Sequence, residues 1–293
     1  MHEADWRIRV EQALGAGPGR EASWRPLGDG VGGERWQVRV DGTQGFVKSG
    51  SEGVELFEAE ADGLRALSAA RAVRVPAVRQ LFRDGATACL LLEWLPLTNK
   101  SSAAGARLGE QLARQHLAYG QRFGWARSNF IGATPQFNTP GDDWPRFFVE
   151  QRLKFQLRLA AENGCRGELQ AQGAALVESV PRFFAGYTAR PSLLHGDLWG
   201  GNWGALPDGE PVLFDPAVYH GDREADLAMT ELFGGFPAEF YAAYRAHAPL
   251  DAGYQVRREL YNLYHVLNHF NLFGGGYAEQ AMAVIRHLLA EIR

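Results

Sequence analysis

Apolar and polar residues alternate along the first third of the chain, and this alternation predicts a small β-sheet. The predicted strands cover residues 34–40, 45–48, 78–82 and 88–92. Asp41-Gly42 is a hairpin turn signal between the first two strands. Apolar residues recur at helical spacing over residues 55–68, and residues 1–15 have the pattern of a short amphipathic helix. We therefore expect an antiparallel sheet with one inserted helix.

The rest of the chain has mainly helical patterns. The predicted helical segments are residues 102–123, 144–162, 168–188, 237–248 and 254–293. Residues 192–218 interrupt them with short strands. Strands followed by helices favour an α+β protein with two lobes over an alternating βαβ fold. We place the N-terminal lobe at residues 1–94 and the C-terminal lobe at 95–293, with the candidate site in the cleft between them.

Composition and charge narrow the class of protein. The 293 residues are 46% hydrophobic and 22% charged, which is ordinary for a globular protein. The net charge of −4 provides no basic field for nucleic acid or anionic lipid. The apolar runs fall far short of the roughly 20 residues that a membrane span needs. With only two cysteines and no apolar N-terminal core, we expect a cytoplasmic protein with no nucleic-acid or membrane partner.

Four polar residues in the strand-rich segment have the spacing of a kinase catalytic loop. Asp197 lies two residues after His195 and five before Asn202, and Asp215 ends an apolar strand thirteen residues later. We predict that Asp197 orients an attacking hydroxyl and accepts its proton. We expect an ordinary pKa of about 4 for this carboxyl, which makes it chiefly an orienting group that takes the proton late. Asn202 and Asp215 provide the oxygen ligands that Mg²⁺ prefers. A plain hairpin with aspartate turns does not require this combination.

Lysine is scarce, which gives Lys48 added weight. Only three of the 30 basic residues are lysines, and Lys48 ends an apolar strand. Glu60 follows twelve residues later, inside the predicted helix. We predict a Lys48–Glu60 ion pair that directs the ammonium toward the α- and β-phosphates of a nucleotide. Glu58 is an alternative partner for Lys48.

Two further segments are candidates for nucleotide binding. The glycine-rich segment is predicted to direct backbone N–H groups at phosphates through Gly30, Gly32 and Gly33. Glu93 and Leu95 lie where the lobes connect, and their backbone groups are predicted to bind adenine. The GxxxxGK[ST] motif is absent from the sequence, which argues against a P-loop ATPase.

The chain resembles the fructosamine kinase (ketosamine-3-kinase) family, a branch of the kinase-like fold near aminoglycoside and choline kinases. The residues that carry the resemblance lie in segments 129–136, 194–204, 214–216, 223–236 and 264–277. It implies a two-lobed protein-kinase-like fold, with a small antiparallel-sheet N-lobe containing one helix and a larger, mainly helical C-lobe. It also implies a phosphotransferase with an alcohol group as acceptor, which uses ATP and Mg²⁺. The acceptor would be a sugar hydroxyl of a ketosamine (a fructosamine or ribulosamine adduct of an amine), and the reaction would be a deglycation step.

The resemblance also suggests roles for individual residues. It implies that Trp199 stacks against the sugar or its linker. His265 and Asn268 are further predicted substrate residues. Asp226 resembles a buried aspartate that braces the catalytic loop. Two features depart from the family pattern: residues 34–36 are bulky where small polar residues are usual, and Asp222 stands where a histidine is expected. These departures bear on the geometry of the nucleotide loop and on substrate preference.

Other functions stay open at this point. One alternative is a kinase for another hydroxylated amine, such as an aminoglycoside or choline. Another is a non-catalytic nucleotide-binding protein, although the full set of Lys48, Asp197, Asn202 and Asp215 argues against it. The expected partners are ATP and a glycated amine or small sugar-amine, and we expect a monomer or weak dimer. The sequence does not identify the sugar or its amine carrier.

Overall fold

The computed structural model describes residues 5–17 and 21–292 of the chain. Its β-strands are β1 (Ala22–Gly30), β2 (Gly33–Val40), β3 (Thr43–Gly50), β4 (Val78–Asp84), β5 (Thr87–Glu93), β6 (Asn129–Ile131), β7 (Thr134–Gln136), β8 (Ser192–Leu194), β9 (Trp203–Ala205), β10 (Pro211–Leu213) and β11 (Tyr219–Gly221). Its α-helices are α1 (Asp5–Ala13), α2 (Val54–Ala70), α3 (Ser102–Gln115), α4 (Trp144–Phe148), α5 (Lys154–Glu162), α6 (Glu168–Ser179), α7 (Arg223–Leu232), α8 (Ala238–His247), α9 (Tyr254–Phe273) and α10 (Tyr277–Glu291). A π-helical segment, Val149–Leu153, joins α4 to α5.

The first five strands form one antiparallel sheet with the order β1-β2-β3-β5-β4. Successive side chains of a strand point to opposite faces, so the alternation in β2 gives the sheet two different sides. Val38 and Val40 are buried on one side, in a cluster with Trp6 and Val10 of α1 and with Cys89 of β5. Helix α1 therefore covers one face of the sheet, and the opposite face borders the cleft.

Helix α2 connects β3 to β4 and packs beneath the cleft-facing side of the sheet. Its buried residues Phe57, Leu64 and Leu67 recur at helical spacing, as the apolar pattern predicts. They share a hydrophobic cluster with Leu90 and Leu92 of β5. This packing fixes the position of α2, which carries Glu60, relative to the neighbouring strand β3, which carries Lys48.

Helices α4 to α7, α9 and α10 enclose an aromatic core in the larger part of the molecule. Trp144 is 2% exposed, and its indole N–H donates to the hydroxyl of Tyr261 at 2.9 Å. The rings of Phe147, Phe148 and Tyr219 lie 5.6, 5.7 and 6.5 Å from that of Trp144. Such ring separations are typical of favourable aromatic packing. The core holds β8 and β11, which lie on either side of the segment that contains the predicted catalytic residues, against α4 and α9.

The two parts of the molecule share one hydrophobic cluster. Leu64 of α2 and Leu90 of β5 pack in the same cluster as Leu198, Trp203 and Leu213 from the segment after β8. The segment that contains the predicted catalytic residues is therefore joined to the sheet by buried apolar contacts as well as by the connecting chain.

The predicted order, a small antiparallel sheet followed by a larger helical part, is confirmed. The sequence pattern did not predict β1, because Ala22–Gly30 is mostly exposed and contains Pro26 and glycines at 28 and 30. Proline is tolerated on an edge strand, and the pairing with β2 shifts between Pro26 and Gly28. Gly30 and Gly33 thus end β1 and begin β2 in a tight hairpin, whereas the sequence suggested a separate glycine-rich loop.

Several helix boundaries differ from the predictions. Helix α3 ends at Gln115, eight residues before the predicted end at residue 123. The segment predicted as one helix over 254–293 is two helices, separated at Gly274–Gly276, where Gly274 and Gly275 have positive φ. Helix α6 likewise ends at Ser179 and continues only as a short 3₁₀ segment. Helix α7 was not predicted, since its buried carboxylates interrupt the apolar pattern.

Helix α9 is the longest helix among the described residues, with 20 residues. It contains two adjacent arginines, Arg257 and Arg258, as well as several asparagines and histidines. Over residues 5–17 and 21–292, none of the helices combines the length and the apolar composition required to cross a membrane.

Candidate active site

The predicted catalytic loop, residues 195–202, follows β8, and Asp226 of α7 binds its first residues. The carboxylate of Asp226 accepts hydrogen bonds from the N–H groups of His195 and Gly196 at 2.7 and 2.8 Å. Gly196 has a φ of 82°, and a Cβ there would lie 2.0 Å from the carbonyl oxygen of Ala217. Only glycine fits such a position. The geometry agrees with the bracing role that the resemblance implied for Asp226.

Asp197 and Asn202 contact each other across the loop. The amide nitrogen of Asn202 donates to the backbone oxygen of Asp197 at 2.8 Å and to its carboxylate at 3.0 Å. Burial raises the pKa of Asp197 to about 7, although the hydrogen bond from Asn202 opposes the shift. The nearby charge of Asp215 raises it further. The ordinary pKa expected from the sequence is therefore wrong, because the sequence does not show how deeply this carboxyl is buried.

Lys48 of β3 contacts a residue of α2 and a residue that follows β10. Its Nζ lies 2.7 Å from a carboxylate oxygen of Glu60 and 2.7 Å from one of Asp215. Burial alone would lower the pKa of Lys48, but the two carboxylates outweigh it and raise the pKa above its usual value. Glu58, the alternative partner, instead lies 3.2 Å from Arg127 at the surface. The predicted Lys48–Glu60 ion pair is present, and Asp215 belongs to the same cluster.

One cleft of about 290 Å³ contains most of the predicted catalytic and phosphate-binding residues. Its lining includes Gly30, Gly33, Lys48, Glu60, Asp197, Asn202 and Asp215. Gly32 does not line this cleft, since it packs against Leu56 and Phe57 of α2. Residues from β2, β3, α2, the catalytic loop and the segment after β10 thus converge on one space.

A second cavity, of about 370 Å³, lies on the connector side of this cleft. Glu93 and Leu95 line it together with Leu92, Phe46 and Phe214. Arg35 and Asp215 line both cavities, so the two spaces adjoin. This largely apolar cavity next to the charged cleft has the character that a nucleotide base requires.

A third cavity, of about 360 Å³, opens on the other side of Asp197. It is lined by Asp197 and Trp199 from the catalytic loop and by His265 and Asn268 from α9. All three predicted substrate residues therefore line the same cavity as Asp197. Aromatic rings form much of its lining: Trp199 contacts Phe233, and the His269 ring contacts those of Phe233, Phe273 and Tyr277. Asp197 is the only carboxylate among the described residues of its lining.

Sequence reasoning did not single out Phe233 and Arg35, among other lining residues of these cavities, and it left one departure unexplained. Phe233 was not singled out because α7 was not predicted, although it lies within a segment that carried the resemblance. Arg35 was noted only as part of a bulky segment. Asp222, found where a histidine was expected, is buried and begins α7 by accepting the N–H of Glu224. Its carboxylate also accepts the hydroxyls of Tyr187 and Tyr261 at 2.9 and 2.6 Å, so it supports the helix that carries Asp226.

Comparison with solved structures places this architecture among the two-lobed, kinase-like folds. The choline kinase of Streptococcus pneumoniae superposes with a TM-score of 0.62 over 98% of this chain and 99% of its own, at 16% identity. At that identity the likeness concerns the fold alone.

More specific matches identify the family. The family described as fructosamine kinase matches residues 12–291. A probable ketoamine kinase of Synechocystis sp. is 47% identical over 253 residues, 85% of each chain. A putative fructosamine-3-kinase of Thermobifida fusca, known from its crystal structure, has a TM-score of 0.86 at 34% identity, covering 97% of this chain and 98% of its own. The chain belongs to the fructosamine kinase family.

Proposed function

We propose that this protein is an ATP-dependent kinase that phosphorylates a sugar hydroxyl of ketosamines. The observation that carries the proposal is the convergence of Lys48, Glu60, Asp197 and Asp215 in one cleft between an apolar cavity and an aromatic one. Nucleotide and acceptor would approach the cleft from opposite sides. Family membership and the 47% identical relative named as a probable ketoamine kinase support the same substrate class.

The adenine would bind in the cavity beside the connector. The N–H of Glu93 already donates to the carbonyl of Ala77, and the carbonyl of Leu95 accepts from Leu97. The proposed contacts of adenine are therefore the carbonyl of Glu93 and the N–H of Leu95. The phosphates would extend past Lys48, with the hairpin at Gly30 and Gly33 above them.

The donor set next to Lys48 fits Mg²⁺. The carboxylate of Asp215 is 44% exposed and has one oxygen on Lys48, which leaves the other for a ligand. Asn202 donates through its nitrogen to Asp197, so its amide oxygen is also available as a ligand. Hard oxygen ligands of this kind suit Mg²⁺ bound together with phosphate oxygens. When bound, the ion would neutralise charge that develops on the transferring phosphoryl group.

Asp197 would act on the acceptor. A sugar in the aromatic cavity would place its hydroxyl between Asp197 and the terminal phosphate. As the new O–P bond forms and the bond to ADP breaks, the hydroxyl proton passes to the carboxylate of Asp197. Since transfer passes through a loose transition state, orientation of the hydroxyl contributes more than early removal of its proton. The phosphorylated ketosamine would then release its amine, which makes the reaction a deglycation step.

The acceptor cavity favours a ketosamine over a polycationic aminoglycoside. Asp197 is the sole acidic group among the described residues that line the cavity, whereas several cationic groups would need several carboxylates. Trp199 is 40% exposed and offers a flat face on which a sugar can pack. We further propose a cytoplasmic monomer or weak dimer that acts on glycated amines.

A substrate panel with one matched pair of variants tests the proposal. ATP-dependent turnover is measured for fructosyl-lysine, ribulosyl-lysine, choline and kanamycin, and we expect activity on a ketosamine. Asp197→Ala is expected to reduce turnover by a factor of about 10³ or more, with nucleotide binding retained. Asp142→Ala is the control, because that carboxylate is 77% exposed in a surface pair with Arg122. Turnover of kanamycin or choline alone, or full activity of Asp197→Ala, would contradict the proposal.

A further inference from the structure

Arg35 lies where the adenine cavity meets the charged cleft. It lines both cavities, and in the register of β2 and β3 it stands directly opposite Lys48. Residues directly opposite in an antiparallel pair project from the same face of the sheet. The guanidinium of Arg35 and the ammonium of Lys48 therefore extend toward the same space. Arg35 belongs to the segment that departs from the usual pattern of small polar residues.

The hydrogen bonds of Arg35 leave part of its guanidinium unused. One Nη donates to the carbonyl of Asp29, and the aliphatic stem packs along Gly30. Nε is buried and has no hydrogen-bond partner among the described residues. A guanidinium has five N–H donors, and a buried donor without an acceptor is unfavourable. The bond to Asp29 alone thus does not account for the placement of this side chain.

The charges of the cleft indicate what the unused donors can bind. Among the described residues that line it, the cations are Arg35 and Lys48, and the carboxylates are Glu60, Asp197 and Asp215. Lys48 already contacts two of these carboxylates at 2.7 Å. No carboxylate of the described residues forms an ion pair with Arg35. A polyanionic ligand would therefore meet Arg35 as the cation whose charge is least compensated.

We propose that Arg35 is a second phosphate-binding residue of this protein, whose guanidinium donates to the α- and β-phosphate oxygens of the bound nucleotide beside Lys48. The inference rests on the proposed function, which places a nucleotide in this cleft. A planar guanidinium matches the spacing of phosphate oxygens, and its contact with Asp29 holds it at the mouth of the cleft. Arg35 would thus add positive charge to the phosphate site, next to the backbone N–H groups of the β1–β2 hairpin.

Calorimetric titration with MgADP and with adenosine tests the role of Arg35. Arg35→Gln is expected to weaken MgADP binding at least tenfold and to leave adenosine binding unchanged, because adenosine lacks phosphates. Arg39→Gln is the matched control: it removes the same charge from the same strand at an exposed position outside the cavity lining. We expect it to bind both ligands as the wild type does.

The outcomes separate this inference from the proposed function. An equal loss of affinity for adenosine and MgADP, or unchanged MgADP affinity in Arg35→Gln, would overturn the role of Arg35. If the wild type binds neither ligand, the proposed function itself fails. Should Arg35→Gln not fold, Arg35→Lys provides the same comparison: it keeps the charge without the planar fork. We then expect a several-fold loss for MgADP alone, and an unchanged affinity would overturn the inference.

Discussion

His265 shows how burial changes the chemistry of a single side chain. It is 5% exposed on the cavity side of α9. Burial, with the neighbouring His269 adding to it, lowers the pKa of His265 to about 3. The ring is therefore neutral in the folded protein at neutral pH. In the unfolded chain the same group has an ordinary pKa of about 6.5. As the pH falls, the unfolded chain therefore binds a proton at this histidine before the folded protein does.

This difference predicts acid destabilisation. Because the folded-state pKa is the lower one, the free energy of unfolding falls as the pH drops below about 6.5. Between pH 7.5 and 5.5, we expect His265 to contribute a loss of about 1.4 kcal/mol. Urea unfolding at both pH values measures it, and His265→Gln should lose that much less than the wild type. His247→Gln is the control, since His247 lies at the end of α8 and contacts solvent; an identical pH dependence in all three proteins would refute the assignment.

At the scale of the element, the β1–β2 hairpin depends on close backbone contact with β3. Gly33 has a φ of 146°, and a Cβ there would lie 2.1 Å from the carbonyl oxygen of Ser49. Gly28, at the irregular pairing of β1, also has a positive φ, of 90°, but a Cβ at this position would meet no atom within 4 Å beyond its chain neighbours. Comparing substitutions at the two glycines therefore distinguishes the cost of a strained backbone conformation from the cost of a steric clash.

Gly33→Ala is therefore expected to be more harmful than Gly28→Ala. Both changes strain the backbone, but only the first forces the hairpin away from β3, which carries Lys48. We expect Gly33→Ala to lower the free energy of unfolding by about 2 kcal/mol more than Gly28→Ala, and to weaken MgADP binding as well. Chemical denaturation and calorimetry measure the two effects. Equal stability of the two variants would show that the hairpin tolerates separation from β3.

For the whole molecule, the shared hydrophobic cluster links the two predicted lobes. Leu64 and Leu90 come before the proposed boundary after residue 94, whereas Trp203 and Leu213 come after it. The ion pair between Lys48 and Asp215 crosses the same boundary. Because apolar contacts of this kind stabilise both sides at once, we expect the lobes to unfold together rather than in sequence.

Leu64→Ala tests this coupling. Leu64 is 1% exposed, and its truncation should lower the free energy of unfolding by about 3 kcal/mol. Unfolding is followed by circular dichroism, which reports mainly the helical part, and by tryptophan fluorescence, to which Trp6, Trp24 and Trp36 of the N-terminal part contribute. The two transitions should coincide and shift together, whereas Leu117→Ala, at a residue that is 61% exposed, should change little. Separate transitions would indicate independently stable lobes.

The sequence by itself indicated a small sheet followed by a mainly helical part, and it suggested which residues could form the predicted catalytic loop. Local alternation and helical spacing are properties of neighbouring residues, so they identified β2, β5 and α2 without a structure. The spacing from Asp197 to Asn202 and Asp215 is equally local, and the resemblance to the family rests on the same segments. The edge strand β1 and helix α7 were not predicted. Proline and glycines interrupt the apolar pattern of β1, and buried carboxylates interrupt that of α7.

Only the tertiary structure decided which distant groups meet and how deeply they are buried. Lys48 and Asp215 are 167 residues apart in sequence, and the choice of Glu60 over Glu58 depends on which side of α2 faces the cleft. The raised pKa of Asp197 and the unused donors of Arg35 likewise depend on desolvation by residues remote in sequence. Burial and charge interaction act through space, so the order of residues alone does not set them.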